Sequence, residues 1–147
     1  MAPWSEVRED APDLAEAVEA RFRSAKHHVL ATLRRDGSPR VSGTEVVLAD
    51  DGSLQLGSML GAMKAKDLQR DGRFALHAHP GDGSMTGGDA KVSGVAHEVP
   101  DHPDAVTSHL FRLDVHEVVL ITIHPEGDRL VIESWRPGEG LRRVERY

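Results

Sequence analysis

The chain has 147 residues, no cysteine, and 18 basic against 24 acidic residues, for a net charge of −6. The length suits one domain, residues 1–147, that can bury a core of its own. The missing thiols exclude disulfides and thiolate chemistry, and the acidic balance argues against a general nucleic-acid binder.

The opening MAPWSEVRED is acidic and lacks the apolar stretch of a secretory signal, so a cytoplasmic protein is expected. Pro12 then begins a helical pattern, with Leu14, Val18 and Phe22 at four-residue spacing, predicting a helix over residues 12–25. His28–Leu33 reads as a strand, Asp36-Gly37 as a hairpin turn, and Pro39–Ala49 as the returning strand. A further turn at Asp50-Asp51-Gly52 leads to a third strand over Leu54–Ser58. Leu60–Asp71 is rich in helix formers and stops at Gly72. Arg73–His79 and Ala90–Val99 alternate as strands, separated by the loop PGDGSMTGG. Residues Asp101–Leu113 read as a helix, Val115–His124 and Arg129–Trp135 as strands, and LRRVERY as a basic tail. The longest apolar run, Val118–Ile123, is too short to span a bilayer, so no membrane association is expected. Six or seven strands, three helices and adjacent hairpins imply a mainly β protein, an antiparallel barrel or sandwich.

Charge is unevenly placed. Residues 21–75 carry ten bases and six acids, while both flanking segments are acidic. A basic middle in an acidic chain suggests a local anion site. Within it, a strand ends at Gly57-Ser58-Met59 and runs into a short helix with Lys64 and Lys66 near its start. Free amides at a helix start, a hydroxyl and two ammonium groups suit a phosphate. The competing reading is a solvated helix whose lysines pair with Asp67 and Asp71. Nine histidines invite a metal or haem reading, with His77 and His79 on one strand face, but no third ligand is in register and no metal is expected.

The segments VLATLRRDGSPRVS and KAKDLQRDGRF, in that order and about thirty residues apart, resemble the pyridoxamine 5'-phosphate oxidase-like family of flavin and deazaflavin proteins. The likeness covers about residues 15–100. It implies a six-stranded antiparallel split β-barrel of the FMN-binding type and a homodimer with a cofactor in each cleft between subunits. By the same likeness Lys64 is the phosphate-binding lysine and Lys66 a second basic contact. Gly57, Ser58 and Met59 lie on a strand end that touches cofactor, and Val41, Ser42 and Gly43 on a strand lining the ring system.

Two departures matter. Many relatives carry Arg two residues before the lysine, where this chain has Ala62. The C-terminal Arg–His pattern of true pyridoxamine phosphate oxidases is not recognisable, so vitamin B6 synthesis is not expected. The likeness implies an oxidoreductase passing hydride between F420 or FMN and a small organic substrate. F420 is preferred because its acidic tail suits a groove of Arg34, Arg35, Arg40, Lys64, Lys66 and Arg70. No catalytic residue is named, since hydride chemistry belongs to the cofactor; Ser42 or Ser58 can hydrogen-bond the ring. The alternative is a non-catalytic protein that binds or sequesters a flavin, F420 or haem.

Overall fold

The computed structural model describes all 147 residues. Three hairpin-linked strands come first: β2 (His28–Leu33), β3 (Pro39–Leu48) and β4 (Leu54–Met59), preceded by the two-residue β1 (Ala2–Pro3). Both hairpin turns place glycine, Gly37 and Gly52, at φ +86° and +85°, where a Cβ is penalised. β5 (Arg73–His77) and β6 (Asp89–Glu98) follow, then the 16-residue β7 (Ser108–Ile123), β8 (Leu130–Arg136) and β9 (Gly140–Arg146).

The length of β7 makes the barrel. Its first part, Ser108–Arg112, pairs antiparallel with β4, and its last part, Val118–Ile123, pairs with β8. Because β4, β3, β2, β5, β6 and β7 are linked in that order and β4 returns to β7, six antiparallel strands close on themselves. Gly94 of β6 sits at a register shift against β7, and a Cβ there would collide with the Asp114 carbonyl. This close approach at a bulge lets β7 bend from one partner strand to the next.

Inward positions carry the core: Leu30 on β2, Leu54 and Leu56 on β4, Leu76 on β5, Val92 on β6, and Phe111, Leu113, Val115 and Val118 on β7. Two helices pack against this set, α1 (Trp4–Asp10) and α2 (Pro12–Arg23). Trp4, Val7, Leu14, Val18 and Phe22 supply their buried faces. A half-buried charge network ties the helices together. Arg8 donates to both Glu19 oxygens at 2.8 and 2.7 Å, and Trp4 Nε1 donates to Glu19 at 3.1 Å. Trp135, buried on β8, donates its indole N–H to Asp10 at 2.6 Å.

The structure corrects two sequence expectations and adds two elements that the sequence reading did not assign. The helix expected over Asp101–Leu113 is absent: residues 100–107 are turns and the chain is β7 from Ser108. Pro100, Asp101, Pro103 and Asp104 favour turns, and the buried alternation Phe111, Leu113, Val115 is a strand period. The acidic opening forms α1, closed by Pro12 at the start of the next helix. The basic tail is a strand, β9, along the edge of β8. The helix of residues 60–71 is shorter, α3 (Met63–Arg70), because Gly61 at φ +74° and the turn from Met59 to Ala62 precede it.

Candidate cofactor platform

Alternation along β3 turns Arg40, Ser42, Thr44 and Val46 inward and Val41, Gly43 and Glu45 outward. On β4, Gly57 and Met59 face outward and Leu56 and Ser58 inward. The two outward faces adjoin, since Glu45 pairs with Gly57. Val41 is 72% and Met59 80% exposed, large values for apolar side chains. Beside them, Gly43 on β3 and Gly57 on β4, the latter opposite Glu45, present bare backbone: an added Cβ at either would meet nothing within 4 Å. The result is a flat, open surface, apolar apart from Glu45 at one end, of a shape that suits a planar ring system.

α3 bounds this platform. No side chain caps its N-terminus. Lys64, in its first turn, is half-buried and donates from Nζ to the Gly43 carbonyl at 2.8 Å. An ammonium has three donors, so two remain for an anion at the platform edge. Burial pushes Lys64 below its ordinary range, while the nearby charge of Glu45 acts in the opposite direction.

The candidate residues divide. Val41, Gly43, Gly57, Met59 and Lys64 meet at the platform. Ser42 and Ser58 lie on the inner faces of their strands, and the Ser58 hydroxyl donates to the Met59 carbonyl at 3.2 Å. Lys66, two positions along the helix from Lys64 and so about 200° around it, lies with Arg34, Arg35, Arg40 and Arg70 on the other side. Neither lysine pairs with Asp67 or Asp71, whose partners are Arg40 and Arg70, and Arg73.

The platform continues across the barrel wall. Gly43 is opposite Val29, Val29 opposite His77, His77 opposite Lys91 and Lys91 opposite Val119. A parallel row runs Val41, Ala31, Ala75, Ser93 and Glu117. A shallow apolar cavity of about 310 Å³ lies over these rows, rimmed by His77, Lys91 and Glu117. The sequence reading did not pick out this strip. Its signal was present: the outward positions of β2 are Val29 and Ala31, apolar where a strand face left to water would be polar.

His77 and His79 do not form a metal pair, as His77 Nδ1 is turned to the Ala78 carbonyl and His79 Nδ1 accepts the Gly81 N–H. His124, Glu126 and Asp128 converge within metal-ligand reach. Arg129 already fills that cluster, bonding all three at 2.7–2.9 Å.

A family model described as pyridoxamine 5'-phosphate oxidase matches residues 14–128. The chain belongs to that family. Among solved structures it is similar to a pyridoxamine 5'-phosphate oxidase-related, FMN-binding protein from Nostoc punctiforme, at 14% identity and TM-score 0.66, covering 100% of this chain and 98% of that one. It is similar to PhzG from Burkholderia lata, solved with tetrahydrophenazine-1-carboxylic acid, at 15% identity and TM-score 0.63, covering 91% and 88%. It is also similar to an F420 reductase, at 17% identity and TM-score 0.53, covering 66% of this chain and 91% of that one. At these identities the likeness establishes the split-barrel fold. Comparison with curated proteins found no match.

Proposed function

We propose that this family member is an oxidoreductase that seats F420 or FMN on the β3–β4 platform and exchanges hydride with a small organic molecule in the adjoining cavity. The observation that carries the reading is the bare backbone of Gly43 and Gly57 beside the exposed Val41 and Met59, with Lys64 at its edge. The glycines let a ring approach the main chain, the two side chains flank it, and Lys64 takes the phosphoryl end with help from the uncapped start of α3. The similarity to an FMN-binding protein and to an F420 reductase supports a cofactor of this class. When bound, such a cofactor supplies hydride chemistry of its own. This chain's residues then bind, orient and exclude water. Val29, Ala31 and Ala75 form an apolar floor for the acceptor, and Lys91 and His77 offer donors at its rim.

A second copy of the chain is the natural cover. Val29, Val41 and Met59 stand exposed on this outer face beside the apolar cavity, more than a lone soluble protein ordinarily leaves bare. We therefore read the protein as a homodimer with its cofactor at the subunit interface.

Titration of the purified protein with FMN and with F420, followed by absorbance, tests the reading. One of them binds saturably to the parent. Lys64→Ala weakens that binding by tenfold or more, through loss of a charge-assisted bond of about 1.5–3 kcal/mol. Gly43→Val abolishes it while leaving the circular dichroism unchanged. Absence of binding by either cofactor rejects the proposal. Reoxidation of the reduced, bound cofactor by quinone or enone acceptors separates an enzyme from a non-catalytic carrier.

A further inference from the structure

The loop between β5 and β6 lies on the barrel with little to hold it. Of residues 79–87 only Met85 is even half-buried. Segments that bury so little surface open at low cost. Two hooks keep this one down. The first is Arg21 of α2, whose guanidinium donates from Nη1 to the Thr86 carbonyl at 3.1 Å and from Nη2 to the His79 carbonyl at 3.3 Å. Gly87, at φ +81°, lets the loop close over this side chain, since a Cβ there would come within 3.0 Å of Arg21 Cδ. The clip is incomplete. Arg21 Nε is buried without an acceptor, which works against the closed loop.

The second hook is His28. The Phe22 carbonyl, 3.0 Å away, takes the Nε2 proton, and Nδ1 accepts the His79 N–H at 2.9 Å. A proton on Nδ1 sets two donors against each other. Nothing nearby balances the imidazolium that results. His79 in the loop and His27 in the preceding turn oppose its charge. Arg21 stands at the His79 carbonyl, and His77 on β5 is turned to the Ala78 carbonyl. On β3, Thr44 is opposite His28, while Glu45 is engaged by Lys26 and His27. Asp82, in the loop itself, is held by Ser84. No carboxylate lies within ion-pair distance of His28.

We propose that residues 79–87 are an acid-released strap with His28 as its latch. Protonation of Nδ1 breaks the bond to His79, and the loop lifts so that water accepts the new N–H. Burial depresses the His28 pKa, so release sets in below the ordinary histidine value of 6.5. The strap lies between His77 and Lys91, which pair with each other at the rim of the 310 Å³ cavity. Its release therefore loosens that end of the cavity. The inference does not depend on what the cavity holds.

Backbone amide heteronuclear NOE measurements on the full chain, at about pH 7.5 and about pH 5 on either side of the histidine range, test it. At the higher pH the strap amides give the values of the strands. At the lower pH they fall toward those of a free chain, while β2, β5 and β6 keep theirs. His28→Asn places a carbonyl oxygen where it accepts the His79 N–H at either pH, so the strap stays ordered at both. His28→Gln, which likewise takes no proton, gives strap values independent of pH. Arg21→Ala lowers the strap values already at the higher pH. Strap values that are the same at both pH values in the parent overturn the proposal. So does a fall that persists in either His28 variant, or one shared equally by the strands, which is acid unfolding of the whole barrel.

Discussion

Single side chains decide how this barrel tolerates acid. His28 is buried at the start of β2, edge-on to Phe22. Its Nε2 lies 3.0 Å from the Phe22 carbonyl, and its Nδ1 accepts the His79 N–H at 2.9 Å. The second bond requires an unprotonated Nδ1. Burial depresses the His28 pKa, with the neighbouring His79 and His27 acting in the same direction and the backbone carbonyls opposing. A histidine depressed in the fold binds its proton more readily when unfolded. Its contribution is therefore present above its ordinary value of 6.5 and declines as pH falls below it. Melting temperature should begin to fall below about pH 6.5, and His28→Gln should flatten that part of the profile. Asp67 titrates lower. Burial opposes its charge, but the bonds from Arg40, Thr32 and Arg70 prevail and lower its pKa. Its contribution is present above the ordinary carboxylate range and is lost only as pH drops below about 4. Asp67→Ala removes the shared acceptor of three buried or half-buried donors. It should cost about 3–5 kcal/mol in urea denaturation, the range for breaking one side of a buried ion pair.

At the level of elements, two strand glycines of similar appearance have opposite meanings. Gly94 on β6 is where β7 approaches so closely that no Cβ fits. Gly94→Ala should destabilise the barrel by about 1–3 kcal/mol, read as a lower denaturation midpoint, because backbone must shift. Gly57 on β4 has open space around it. Gly57→Ala should leave stability within about 0.5 kcal/mol and report only through cofactor titration. Nothing in a one-residue motif separates these cases; the partner strand does. The same limit explains the misread segment 101–113. Its composition permits a helix, but pairing with β4 and burial of Phe111 and Leu113 make residues 108–113 a strand. Strong local signals came through: the glycine turns at 37 and 52, the four-residue period of α2, and the helix formers of α3.

For the whole molecule, the exposed apolar tract runs from Met59 and Val41 across Val29 to the cavity, along one side of the closed barrel. If a second copy covers it, Val29→Glu places a charge in a dry contact and should convert a dimer to a monomer in sedimentation velocity. The inner face of β2 is untouched by this change, so near-native circular dichroism is expected. A monomeric parent would reject the covering copy without touching the fold.

Residues close along the chain carried their own meaning. Alternation, glycine turns and the order of VLATLRRDGSPRVS and KAKDLQRDGRF were enough to read hairpins, a short helix, the family and the lysine nearest the platform. Those features arise from backbone sterics and periodicity over a few residues, which any reader of the chain can see. Closure of β4 onto β7 joins residues about fifty apart, and the sorting of Ser42 and Ser58 inward, Gly43 and Gly57 outward, follows from that closure. The division of the cations across α3 belongs to the same class. Lys64 and Lys66 are near neighbours in sequence, yet the helix turns them toward different surroundings, and only the packed barrel says what those surroundings are.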